Sequence, residues 1–163
     1  MSDDVTADWQ KRLPDAIAAL GLSVAHVADA MWMTVLEGVN KRTLPVSLAV
    51  KEQMLIVTAL LSAPPDEGHA EVYRLLLSRN QHTSLLHYAL DDSGQLVING
   101  RIPLVALDDN GVDVVLGAVL ALADDVFPAV LSRGFASYIA AEQQWRANAG
   151  LPANPISGET GQR

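Results

Sequence analysis

Leu44-Pro45-Val46-Ser47-Leu48-Ala49-Val50-Lys51-Glu52-Gln53-Met54-Leu55-Ile56-Val57-Thr58-Ala59-Leu60-Leu61 is the most informative stretch of the chain. In its first half Leu44, Val46, Leu48 and Val50 alternate with Thr43, Pro45, Ser47 and Ala49, a period of two that turns one side of a strand to a core. Pro45 has no amide proton for a ladder, so that strand is expected at a sheet edge or with this position turned outward. After the polar link Lys51-Glu52, Met54 to Leu61 is apolar almost without interruption, which suits a strand covered on both faces. Pro64 and Pro65 end it.

Upstream, the bulky, partly β-branched run Met31 to Leu36 predicts another strand, closed by the loop Gly38-Val39-Asn40, while Val24 to Ala30 fits helix or strand. Trp9, Leu13, Ala16, Ile17 and Leu20 recur at helical spacing, with Pro14 expected in the first turn and Gly21 at the left-handed C-terminal position. Downstream, Asp66 is a candidate N-cap for a helix whose stripe is Val72, Leu75 and Leu76 with Tyr73 and Leu77, ending at Arg79-Asn80. Leu86 to Leu90 and Leu96 to Ile102 flank Asp91-Asp92-Ser93-Gly94, a hairpin with glycine at a positive-φ site. Asn110 is expected to cap the amide of Asp113 at the start of the longest helix. Pro128 should bend that helix, Gly134-Phe135 should cap it, and Tyr138, Ile139, Ala141 and Trp145 sustain a last one. The order is α-βββ-α-ββ-α. Strands outnumber crossovers, which predicts a mainly antiparallel sheet with helices packed on it, the α+β class. We expect one domain over 1–149 and a flexible tail over 150–163, which turns to Gly, Pro, Asn, Ser, Thr and Gln.

A chain of 163 residues, 50% of them apolar and 18% charged, has enough apolar surface for one core, which excludes a wholly disordered polymer. Its formal net charge of −8 offers no source of phosphate neutralisation, so nucleic acid is not expected as a partner. The absence of cysteine removes disulfides, thiol nucleophiles and thiolate metal sites. Met1-Ser2-Asp3-Asp4 does not open a secretory signal, and Asp113, Asp124, Asp125 and Pro128 break the most membrane-like run, Val112 to Val130, which is expected to be a buried helix. A cytoplasmic protein without a membrane partner is the resulting expectation.

Neither phosphate-binding glycine pattern occurs, and GxSxG, HExxH and the calcium-loop motif are missing as well. His69-Ala70-Glu71 has the HxE core of zinc deaminases, but the cysteine pair such a site needs does not exist here. No cofactor or metal is expected. His82 with His87 is the one histidine pair close in sequence, and it reads first as hydrogen-bonding or solvated side chains. The doublets Asp91-Asp92, Asp108-Asp109 and Asp124-Asp125 read as turn, cap and solvated-face residues rather than catalytic pairs. Arg79, Asn80, His82 and Arg101 form a candidate anion or peptide C-terminus site, weighed against helix capping and a charged sheet rim. Trp9, Trp32 and Trp145 read as core or interface anchors.

Glu71-Val72-Tyr73-Arg74-Leu75-Leu76-Leu77-Ser78-Arg79-Asn80, then Tyr88-Ala89-Leu90-Asp91, Gly94, Gly100-Arg101-Ile102-Pro103-Leu104 and Gly134-Phe135-Ala136, together resemble the bacterial YbjN family. The resemblance implies a fold similar to type III secretion chaperones, commonly dimeric, and a role as a regulator of sensory transduction or a chaperone-like protein. It carries no catalytic residue. The expectation is therefore a non-enzymatic protein-binding module, a homodimer, that holds a partner segment on an exposed sheet edge or apolar patch around Trp32, Leu44 and Val46. A small-molecule sensor and, more remotely, a cryptic hydrolase are the alternatives.

Overall fold

The computed structural model describes residues 2–154. In chain order it contains α1 (Ser2–Ala19), β1 (Ala25–Ala28), β2 (Met31–Leu36), β3 (Leu44–Lys51), β4 (Met54–Ser62), α2 (His69–Asn80), β5 (Leu86–Leu90), β6 (Leu96–Pro103), α3 (Gly111–Gly134) and α4 (Ala136–Asn148), with a 3-10 turn at Leu104–Ala106. The strands form one antiparallel six-stranded sheet in the order β1-β2-β3-β4-β6-β5. This is the α+β architecture and element order expected from the sequence, with the short β1 resolving the ambiguous segment before Met31.

The β3–β4 hairpin pairs Lys51 with Met54 across a two-residue turn. Glu52 and Gln53 there take φ of 50° and 62°, the left-handed pair whose twist matches that of the strands. Of the two placements that Pro45 allows, the outward-facing one holds and the edge one does not. Strand β3 lies between β2 and β4, and Pro45 is accommodated because it faces outward and the pairing to β4 begins only at Val46. The expectation that β4 is covered on both faces is also corrected: its inward residues Leu55, Val57, Ala59 and Leu61 are fully buried, while Met54, Ile56, Thr58 and Leu60 on the other side are partly exposed.

One side of the sheet packs on α1, α2 and α3. Leu13 and Ile17 of α1, Val72 of α2 and Val119, Ala123, Val126 and Val130 of α3 are fully buried against it. Each such Val, Leu or Ile contributes about 1.5–3 kcal/mol. Of the apolar run that makes α3 long enough to cross a bilayer, 39% is buried, the sheet taking one side while Val114 stays exposed, so the expectation of a buried helix holds for one face only.

Helix ends differ from their sequence reading for identifiable reasons. Burial of Trp9, Leu13 and Ile17 carries α1 back to Ser2, leaving Pro14 inside the helix rather than in its first turn. Asp66 does not cap α2; its amide, with that of Glu67, donates to Gly134 O at 2.9 and 3.2 Å, and α2 starts after Gly68 at φ 58°. A Cβ at Gly68 would strike the Arg133 carbonyl, so glycine is required by both conformation and space. Gly134 does end α3, though through close packing and not a left-handed cap: a Cβ there would stand 3.1 Å from Pro65 and 3.2 Å from Val72. Asn110 makes no side-chain cap; its amide instead donates to Asp108 Oδ1 at 3.0 Å. Gly21 and Gly94 take the expected positive φ.

Of the expected tail, residues 155–163 lie outside the described residues. Before them the chain turns back on α4, with Leu151 N donating to Arg146 O at 2.9 Å and Asn154 Nδ2 to Glu142 Oε1 at 3.1 Å.

Candidate functional site

Trp32, Leu44 and Val46 do not form a surface. Trp32 is 9% exposed and the other two are fully buried, because the period-two alternation that identified β3 turns them to the helix-covered side. His26 covers the Trp32 ring at 5.5 Å between centroids. Nor do Arg79, Asn80, His82 and Arg101 converge. Arg79 pairs with Asp125 of α3 at 2.5 Å on the helix side, while Arg101 stands on the opposite face of the sheet beside Ile56. Asn80 is occupied by the backbone of β5: its Nδ2 donates to Tyr88 O at 2.9 Å and its Oδ1 accepts from Tyr88 N at 2.8 Å. His82 is exposed at the mouth of a groove.

The doublet Asp124-Asp125 is a structural device that sequence reading placed on a solvated face. Asp124 accepts from the amides of Val39, Asn40 and Lys41 at 3.2, 2.6 and 2.8 Å, fastening the β2–β3 loop to α3. Asp125 fastens α2. The signal was present in Gly38: a Cβ there would stand 2.6 Å from Asp124 Oδ1.

What the fold leaves open is the outer face of the sheet. Cross-strand register places Met33, Ser47, Thr58, Asn99 and His87 in one row and Ala49, Ile56 and Arg101, with Met31, in the next. Val35, Pro45, Leu60, Val97 and Ala89 lie beyond them on the same face, where Val97, like Ala49, is buried. Met33 and Val35 are each 39% exposed. Ile56, Thr58, Ser84, Leu85, His87, Asn99 and Arg101 line a shallow cleft of about 330 Å³. Within it Asn99 Oδ1 is buried without a hydrogen-bond partner. Sequence reading missed this face because an outward Met or Ile looks the same as an inward one until the helices are placed.

Two apolar grooves lie on the helix side. One of about 470 Å³ runs between α3 and the 82–86 segment, lined chiefly by Leu85, Val114, Ala118, Ala121 and Leu122. The other, about 220 Å³, is formed by Tyr73, Leu76 and Leu77 of α2 with Tyr88 and Leu90. Tyr88 donates its hydroxyl to Leu122 O at 2.8 Å, and burial, with the Asp125 charge adding to it, pushes its pKa up to about 12. Among the described residues no histidine is hydrogen-bonded to a hydroxyl and no group of His, Asp and Glu has metal-site geometry. The hydroxyl bonds run instead to backbone carbonyls or to Glu67.

A half-covered antiparallel sheet backed by three helices is the architecture of type III secretion chaperones, and solved complexes share it. The chain aligns with a chain of the ExsC–ExsE complex (TM-score 0.55, 19% identity, 75% of this chain and 92% of that one). It aligns equally with the HopA1–SchA chaperone–effector complex (0.56, 14%, 75% and 94%) and with the ExoU–SpcU heterodimer from the type III secretion system of Pseudomonas aeruginosa (0.51, 20%, 70% and 93%). By sequence the chain belongs to the YbjN family, described as "Putative bacterial sensory transduction regulator", whose model matches residues 11–132. Uncharacterized protein Rv0487 of Mycobacterium tuberculosis is 40% identical over 115 residues, 71% of this chain and 63% of that protein. Uncharacterized protein ML2442 of Mycobacterium leprae is 35% identical over 132 residues, 80% and 72% of the two chains. The chain thus spans less than two thirds of the length of the first of these relatives.

Proposed function

We propose that this protein is a non-enzymatic, chaperone-like binding module that holds a segment of another protein against the outer face of its sheet, in a cytoplasmic setting. The observation that carries the reading is the mismatch in β4, a strand apolar on both sides and covered on one. Met33, Val35, Ile56 and Leu60 keep partly exposed apolar side chains around the polar row Ser47, Thr58, Asn99 and His87, and uncovered apolar surface on a folded domain marks an interaction site. Edge pairing is the weaker route, since Asn80 occupies the free edge of β5 and β1 offers only four residues. The likeness to solved chaperone complexes supports the same reading. The reading includes a homodimer, for which α4 supplies exposed Tyr138 and Trp145, seven residues apart on one helix face. Affinity purification with mass spectrometry tests the site: Met33→Asp and Ile56→Asp proteins that keep the wild-type circular dichroism should lose the partners that a Val105→Asp control retains. Full retention by both variants overturns the assignment.

A second reading, a sensor of small apolar molecules, is favoured by the groove between α3 and the 82–86 segment, whose size is that of a ligand pocket. A metabolite library that raises the melting temperature of wild type but not of Ala118→Trp would establish it. A library without any stabilising compound removes it.

A further inference from the structure

We propose that the segment held on the outer face is an acidic apolar one, with a carboxylate seated on Arg101 and a hydrogen-bond donor on Asn99 Oδ1. This inference rests on the reading above and specifies the chemistry of the partner. The chain as a whole carries −8, yet the outward strand positions of the sheet include no Asp or Glu. Their only ionisable residues are Lys51, His87 and Arg101. Lys51 and Arg101 are exposed and take part in none of the ion pairs among the described residues. They stand two strands apart, roughly 10 Å across the sheet. A face of apolar and uncharged polar side chains whose only fixed charges are cations, on an otherwise acidic molecule, selects for partners with carboxylates and against basic ones. It also disfavours two copies meeting through this face, because their cations would be brought together.

Asn99 supplies the second, independent feature. Its Oδ1 lies out of water in the cleft with no donor, a state that costs about 1–3 kcal/mol for as long as it persists. An extended segment laid across Met33, Ile56 and Leu60 brings backbone N–H groups over the cleft, where a turn of the half-buried Asn99 side chain presents Oδ1 to them, and alternate side chains to the flanking rows. One such N–H satisfies Asn99, and an Asp or Glu nearby reaches the Arg101 guanidinium, which offers a fork of donors to a carboxylate. A basic or uncharged apolar segment satisfies the first requirement alone.

The test is a random twelve-residue peptide display library panned in parallel on the full chain and on its Arg101→Glu, Met33→Asp and Ile56→Asp variants, each checked for wild-type circular dichroism. The expected result is enrichment of apolar peptides with an excess of Asp and Glu. A synthetic peptide from that pool should bind Arg101→Glu about tenfold more weakly than wild type, with the difference shrinking at salt high enough to bring the Debye length to about 3 Å. Enriched peptides that are lost on Met33→Asp or Ile56→Asp but show no acidic excess, or that ignore Arg101→Glu, overturn this inference and leave the outer face as the binding site. Enrichment indifferent to both Met33→Asp and Ile56→Asp, or no enrichment at all, overturns both.

Discussion

The carboxamide of Asn80, the last residue of α2, takes both backbone groups that Tyr88, in the middle of β5, turns to the free edge, accepting from its N–H at 2.8 Å and donating to its carbonyl at 2.9 Å. A side chain thereby stands in for a neighbouring strand on the free edge of the sheet. Native sheets protect such edges because unpaired backbone groups recruit other strands.

Replacing Asn80 with Ala should therefore cost about 1–3 kcal/mol, since it strips two backbone groups of their partners. It should also cause concentration-dependent association through β5. Denaturant unfolding reads the first effect and light scattering the second; an unchanged midpoint with a strictly unchanged mass contradicts the edge-closing role.

Asp124 is expected to be as important to the β2–β3 loop as any core residue. Its carboxylate accepts three amides in succession, so Asp124→Ala should lower stability by roughly 1–3 kcal/mol, with most of the loss local. Hydrogen exchange should show the amides of Val39, Asn40 and Lys41 losing protection ahead of the sheet. Unchanged exchange at those three positions would refute it.

Alkaline pH should weaken the fold in a defined window. Tyr88 is raised to about 12 by burial and by Asp125, against about 10 in an unfolded chain. The unfolded state releases its proton first, so stability is fully present below pH 10 and falls as pH climbs toward 12, by on the order of 2–3 kcal/mol. Phenolate absorbance should show a titration step near pH 12 that Tyr88→Phe abolishes.

Acid should release α4 before the rest. Glu67 accepts from Ser137 N at 2.7 Å and Ser137 Oγ at 3.1 Å, and those bonds hold its pKa below the ordinary carboxylate value. A depressed acid contributes stability above its unfolded pKa and loses it as pH falls through the folded one. No residue of α4 is buried, so little else keeps the helix in place. Relative to their intrinsic rates, the helical amides of α4 should lose protection at acid pH, and lose it already at neutral pH in Glu67→Gln.

Much of the architecture is legible in local patterns. The period-two run at Leu44–Val50, the continuous run at Met54–Leu61 and the Asp91–Gly94 turn each specify a strand or a hairpin by themselves, because strand pleat and turn dihedrals act over a few residues. Cap positions were less legible. Asp66 and Asn110 carry the right side chains, but their amides are claimed by Gly134 O and Asp108 Oδ1, partners that local pattern does not rank. The candidate site was the least legible part: Arg79 and Arg101 look alike in sequence and stand on opposite sides of the sheet.

Sequence by itself thus determined every element but β1, their order, the antiparallel α+β class and the acidic balance, all of which follow from residue type and spacing. Only the tertiary structure decided that β3 is central, that Trp32, Leu44 and Val46 face the helices, and that Met33, Ile56, Asn99 and Arg101 share an uncovered surface. The reason is that alternation defines two sides of a strand without labelling them. Which side is buried depends on where the crossover helices land, and that is settled by the packing of α1, α2 and α3, segments dozens of residues away.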